Sequence, residues 1–116
     1  MDDLDLPAFD RAAVLENLGG DEALLAEIAR IFVADWPQNE ERMRRALEAN
    51  DAETLRRAAH AVKGSVANFS AERAVQAARA LEFAGRDGDM AAAPQLLDAT
   101  VAAVSRVVAA LQAELR

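Results

Sequence analysis

The 116-residue chain has no cysteine and no tyrosine, and it has one histidine, one tryptophan, four phenylalanines and three prolines. Without cysteine there are no disulfides, thiolate metal sites or thiol nucleophiles, and a lone histidine cannot hold a zinc ion by itself. No run of about 18 apolar residues occurs, and the N-terminal stretch 1–9 (MDDLDLPAF) is acidic where a secretory signal is basic, so a cytoplasmic protein with no membrane role is expected. Basic charge is scarce: 13 Lys and Arg against 20 Asp and Glu leave a net charge of −7, a field that repels nucleic acid and anionic lipid. The length suits one ordinary domain over 1–116 and excludes a complete ATP-using kinase.

Residues 1–50 hold 12 acidic and 5 basic side chains, 51–90 hold 6 and 6, and 91–116 hold 2 and 2. The middle segment, which contains the histidine, is thus the relatively basic part of an acidic chain.

Apolar residues recur at helical spacing, and the alternation of a β-strand is missing, so the fold class is all-α. A short helix over about 11–18 begins at the N-cap Asp10, with Phe9 and Val14 placed as a hydrophobic staple, and stops at Gly19-Gly20. Asp21 caps a long helix over about 22–49, bent at Pro37, whose inward stripe reads Leu24, Leu25, Ile28, Ile31, Phe32, Met43 and Leu47. Two helices broken at Trp36-Pro37 are the alternative.

Asn50-Asp51 opens a third helix over about 52–69 with Leu55, Ala59, Val62, Val66 and Phe69 inward. Ser70 is read as the cap of a fourth over about 71–86, with Ala74, Ala77, Leu81 and Ala84 inward. Gly85, Asp87, Gly88 and Asp89 are read as a turn, and a last helix starts between 90 and 94 with Pro94 in its first turn. Its stripe is Leu97, Val101, Val104, Val108, Leu111 and Leu115. Short connections then predict an antiparallel four-helix bundle with an additional short N-terminal helix.

His60 lies about 140° round the third helix from Leu55, on the outward side, at 100° per residue. Lys63 and Gly64 follow at i+3 and i+4 on that side, in the run His60-Ala61-Val62-Lys63-Gly64-Ser65. A glycine within a helix costs about 1 kcal/mol relative to alanine, so Gly64 implies that something needs the space. A solvated surface histidine is the ordinary reading of one such residue. Together, however, an exposed imidazole, a nearby ammonium and a cleared patch suit a phosphoryl carrier.

These residues resemble the core pattern His-x-x-Lys-Gly-Ser/Ala of the histidine-containing phosphotransfer (HPt) domain family. Phe32, the stretch from Leu55 to Ala59, Asn68, Leu81-Glu82 and the run from Gly85 to Asp89 extend the similarity over nearly the whole chain. The resemblance implies that His60 accepts a phosphoryl group from the aspartyl phosphate of a receiver domain and passes it to another receiver. It further implies that Lys63 contacts the phosphoryl oxygens, that Gly64 admits the receiver's loops, and that Ser65 makes a helix-to-helix contact. The implied partners are response-regulator receiver domains and a hybrid sensor histidine kinase. The chain would have no cofactor of its own, Mg²⁺ being expected on the partner receiver.

If the third and fourth helices turn back near 69–70, Glu82 and then Arg86 come toward the end of the bundle that carries His60. Glu82 is a candidate to orient the imidazole through one ring nitrogen and leave the other free, with a solvated helix charge as its ordinary reading. Arg86 is a candidate for receiver docking, although an arginine near a helix C-terminus also suits the macrodipole. Ala61, Ala67 and the short first helix are candidates for an apolar rim. The sequence departs from the family at Ser70, often glycine, and at Val62, often leucine.

A monomer is expected because no long apolar stripe is left over, and Met1 and the lack of a linker point to a free-standing chain. The alternative function is a non-catalytic helical adaptor, or a degenerate HPt domain that docks receivers without transferring phosphate. An enzyme or metal protein is disfavoured by the lack of a second histidine, a His-Glu-x-x-His run or a Gly-rich phosphate loop.

Overall fold

The computed structural model of the chain describes residues 7–116; the acidic start over 1–6, read above against a secretory signal, lies outside them. Five helices follow in order: α1 (Arg11–Asn17), α2 (Glu22–Glu48), α3 (Ala52–Ala67), α4 (Glu72–Asp87) and α5 (Ala93–Glu114). Among the described residues there is no strand.

Aspartates set three of the helix starts. Asp10, Asp21 and Asp51 accept hydrogen bonds from the backbone N–H groups of Ala13, Leu24 and Thr54 at 3.0, 2.9 and 3.0 Å, satisfying donors that the first turn leaves unpaired. The cap at Asp51 is doubled by the Thr54 hydroxyl, which donates to its second oxygen at 2.6 Å. These bonds hold the Asp51 carboxyl below its ordinary range, the Thr54 hydroxyl contributing most.

Pro37 does not divide α2. The helix runs through it for 27 residues, with Trp36 buried and the proline ring on the exposed side. The carbonyl that loses its donor can there be solvated.

Four corrections to the sequence reading concern register. Ser70 does not cap α4: its own φ is +50°, in the left-handed region, and Ala71 occupies the cap position without a side-chain bond. This turn conformation is one that glycine adopts freely. Gly85 is not in a turn but inside α4 and buried, and the helix instead ends at Gly88, whose φ of +71° closes it in a left-handed cap. Leu24 and Ile31 are 36% and 56% exposed, because the inward line of α2 runs through Leu25, Ala29, Phe32, Trp36, Met43 and Ala46. In α4 the inward alanine is Ala78, Ala77 being only half-buried.

The pairs α2–α3, α3–α4, α4–α5 and α2–α5 are all in contact, so the four longer helices close a ring around one core, with α3–α4 its most extensive seam. By length and mean hydropathy (1.4) α5 could cross a membrane. Leu97, Val104, Val107 and Leu111 along it are instead buried in the core. Buried Thr100 is satisfied by its own helix and by α4, its hydroxyl lying 2.8 Å from the Leu96 carbonyl and 3.2 Å from that of Ala77.

The chain before α1 is tied to the end of α3. Asp10 N–H donates to the Phe69 carbonyl at 3.3 Å, and the Phe69 ring meets Phe9 edge-on at 6.4 Å and Phe32 at 5.4 Å. Arg11 pairs with Glu22 at 2.6 Å and Glu114 at 2.7 Å, joining α1 to the start of α2 and the end of α5.

Candidate functional site around His60

His60 projects from the middle of α3 with 63% of its side chain exposed. Its Nδ1 lies 2.8 Å from Glu82 Oε2 on α4, and Lys63 Nζ lies 2.7 Å from the other oxygen, Oε1. One carboxylate thus bridges an imidazole and an ammonium that stand a turn apart on the neighbouring helix. The Glu82 side chain is 12% exposed and that of Lys63 23%, so the bridge lies beneath the surface on which the ring stands.

Burial alone would push the Glu82 carboxyl up, but the hydrogen bonds from Lys63 and His60 outweigh it and the net displacement is downward. An ionised carboxylate can only accept, so the contact to His60 requires the proton on Nδ1. In the neutral ring, Nε2 then keeps its lone pair.

Gly64 is exposed, and a Cβ built on it would meet no atom within 4 Å. The surface beyond His60 is therefore open at this position. Ser65 Oγ donates to the Ala61 carbonyl of its own helix at 3.1 Å, a bond that holds the side chain against α3.

Arg86, one turn beyond Glu82, faces solvent. Its guanidinium lies 4.4 Å from the centroid of the Phe83 ring and its Nε lies 3.0 Å from Asp87 Oδ1. The structure therefore brings His60 and Lys63 each into contact with Glu82, leaves Gly64 as a clearing, and places Arg86 on Phe83 and Asp87. Upstream, Arg56 and Arg57 share Glu53, which they pull down to about 2, Arg56 contributing most.

Two exposed apolar features escaped the sequence reading. Phe83, 41% exposed, stands off the inward line of α4, and that offset was its signal. Ile31 borders a groove of about 500 Å³ whose walls include Phe32 and Asp35 of α2, Ala67 of α3 with Asn68 just after it, and Leu18 at the end of α1. Of the expected rim, Ala61 and Ala67 are both exposed; Ala67 and the first helix, through Asn17, line this groove, and Ala61 does not. Among the described residues no group of three or more potential metal ligands converges.

A model of the Hpt domain matches residues 27–115, which include His60, Lys63, Gly64 and Glu82. The chain belongs to the Hpt domain family. Its fold is similar to the crystal structure of histidine-containing phosphotransfer protein B (HptB) from Pseudomonas aeruginosa PAO1, with a TM-score of 0.87 and 25% sequence identity over 96% of each chain. No curated protein sequence matches it. Membership places it among the domains used in phosphorelays, and its described elements are helical as that fold requires.

Proposed function

We propose that this protein is a histidine phosphotransfer carrier in which Nε2 of His60 takes a phosphoryl group from the aspartyl phosphate of one response-regulator receiver and gives it to another. The observation that carries the reading is the shared Glu82 carboxylate, 2.8 Å from Nδ1 of the exposed His60 ring and 2.7 Å from Lys63 Nζ.

The Nε2 lone pair attacks phosphorus, the N–P bond forms, the P–O bond to the receiver aspartate breaks, and that aspartate leaves as a carboxylate. The ring keeps its proton on Nδ1 and becomes positively charged, and Glu82 stands against that charge. Lys63 supplies an ammonium for the phosphoryl oxygens, Gly64 gives the receiver's loops room, and Arg86 contacts the receiver's acidic edge. Transfer onward is the reverse sequence with a second receiver. Phosphoryl transfer rests mainly on positioning and charge stabilisation, so a carrier need contribute little beyond the nucleophile, while Mg²⁺ resides on the receiver.

In this reading the chain is a phosphoryl carrier and not a kinase, working as a cytoplasmic monomer, with the four long helices as an antiparallel bundle and a hybrid sensor kinase upstream. The test is incubation with a receiver domain phosphorylated by a small-molecule phosphodonor. The native chain should take up acid-labile phosphate, and a folded His60→Gln variant should take up none. Binding of the receiver without uptake would instead make the domain a docking adaptor.

A further inference from the structure

Gly85 lies in the interior of α4, with its backbone against α3. A Cβ built on it would stand 2.8 Å from the Arg56 backbone nitrogen, 2.9 Å from the Ala52 carbonyl oxygen and 3.0 Å from Arg56 Cα. All three are main-chain atoms of a neighbouring helix, so no side-chain rotation relieves the overlap and the two helices would have to part. Arg56 precedes His60 by one turn of α3, and Gly85 follows Glu82 by nearly one turn of α4. This main-chain contact is therefore adjacent to the carboxylate bridge.

Glu82 reaches across this seam to two groups at once, at 2.8 and 2.7 Å, from a side chain that is 12% exposed. Hydrogen bonds and ion pairs of this length weaken steeply with separation. A carboxylate on a two-carbon arm has little reach in reserve.

We propose that Gly85 is a positioning residue: by letting α4 lie against the α3 main chain one turn from His60, it sets the separation at which Glu82 holds the His60 Nδ1 proton and the Lys63 ammonium together. The phosphotransfer consequence rests on the function proposed above; the effect on the ring itself does not. Gly85 touches neither the imidazole nor a transferred group. It acts through the distance between two helices.

The test compares three variants with the native chain by ¹⁵N NMR of the His60 ring, which reports the tautomer, and by phosphate uptake from a phosphorylated receiver. Gly85→Ala, with one added methyl group, should remain folded, lose most of the excess of the Nδ1–H tautomer, and take up phosphate about tenfold more slowly, as expected for a small misplacement near the reacting atom. Glu82→Asp shortens the arm at unchanged helix spacing and should reproduce the tautomer change without touching the seam. Ala74→Val loads a buried position three turns away on α4 and should leave the tautomer as in the native chain.

A native tautomer in Gly85→Ala or in Glu82→Asp would overturn the proposal, as would the same tautomer change in Ala74→Val. Failure of Gly85→Ala to fold would also count against it, since Gly85 would then govern stability and not position. If the native chain takes up no phosphate but the tautomer pattern holds, the phosphorelay reading falls and the positioning role stands.

Discussion

Gly64 and Gly85 both sit inside helices, within a turn or so of the same functional cluster, for opposite reasons. A side chain at Gly64 would meet nothing within 4 Å, whereas one at Gly85 would meet α3 main chain at 2.8 Å. The first glycine leaves room outside the protein, the second removes room inside it. The contrast teaches that the two flanks of His60 are built differently: the α3–α4 seam is closed and charge-linked through Glu82, and the outer surface of α3 at Gly64 is open.

The sharpest way to break this comparison is to place the same side chain at both positions. Gly85→Val should destabilise the fold by about 1–3 kcal/mol through overpacking, while Gly64→Val should change stability by no more than about 0.5 kcal/mol. Urea unfolding followed through the buried Trp36 would show it. Equal losses at the two positions would erase the distinction.

Function should reverse that order. Gly64→Gln should leave the unfolding midpoint near native and slow phosphate uptake from a receiver by about tenfold, equivalent to about 1.4 kcal/mol in the transition state, through obstruction of close approach. An unaltered rate would mean that the open patch is not a docking surface. Gly64→Ala should be mildly stabilising, by up to about 1 kcal/mol, because alanine is the better helix former and no neighbour resists it.

Acid should affect the closed flank and spare the open one. The folded-state pKa of Glu82 lies below its ordinary value, so its contribution to stability is fully present above that value and is lost as pH falls through the depressed folded pKa. Asp51 and Glu53 at the start of α3 act in the same direction, Glu53 titrating only near pH 2. The contribution of these three carboxylates should thus be lost as pH falls below the ordinary carboxylate range, and stability should decline there. In Glu82→Gln that decline should be shallower, which chemical denaturation at stepped pH would measure.

Much of this was legible because it is local. Aspartate capping depends on residues three apart in sequence, and Asp10, Asp21 and Asp51 all cap as read. The common outward side of His60, Lys63 and Gly64 follows from helical geometry alone. Glu82 could be placed only by assuming where the chain turns back, and the 2.8 Å contact needs the actual spacing of α3 and α4. That spacing is set at Gly85, which resembles a turn residue because it begins a glycine- and aspartate-rich run, and whose burial is visible only once α3 lies against it.

Ser70 resembles a cap because serine is a good one, whereas the left-handed turn it occupies is a property of the path between helices. Ile31 was placed inward because a stripe drawn through the large side chains overlooks small ones. The buried line of α2 runs through Ala29, Trp36 and Ala46 along with Leu25, Phe32 and Met43, and this leaves Ile31 on the exposed side beside the groove.

The most direct measurement is the site of the phosphoryl group itself. Combined ³¹P and ¹⁵N NMR of the chain after incubation with a phosphorylated receiver should show one phosphohistidine, bonded at Nε2 of His60, with the proton retained on Nδ1 beside Glu82. Phosphate on Nδ1, or a His60 ring that stays unmodified while the receiver loses its phosphate only to water, would contradict the assignment of Glu82 as the group that leaves Nε2 free to react.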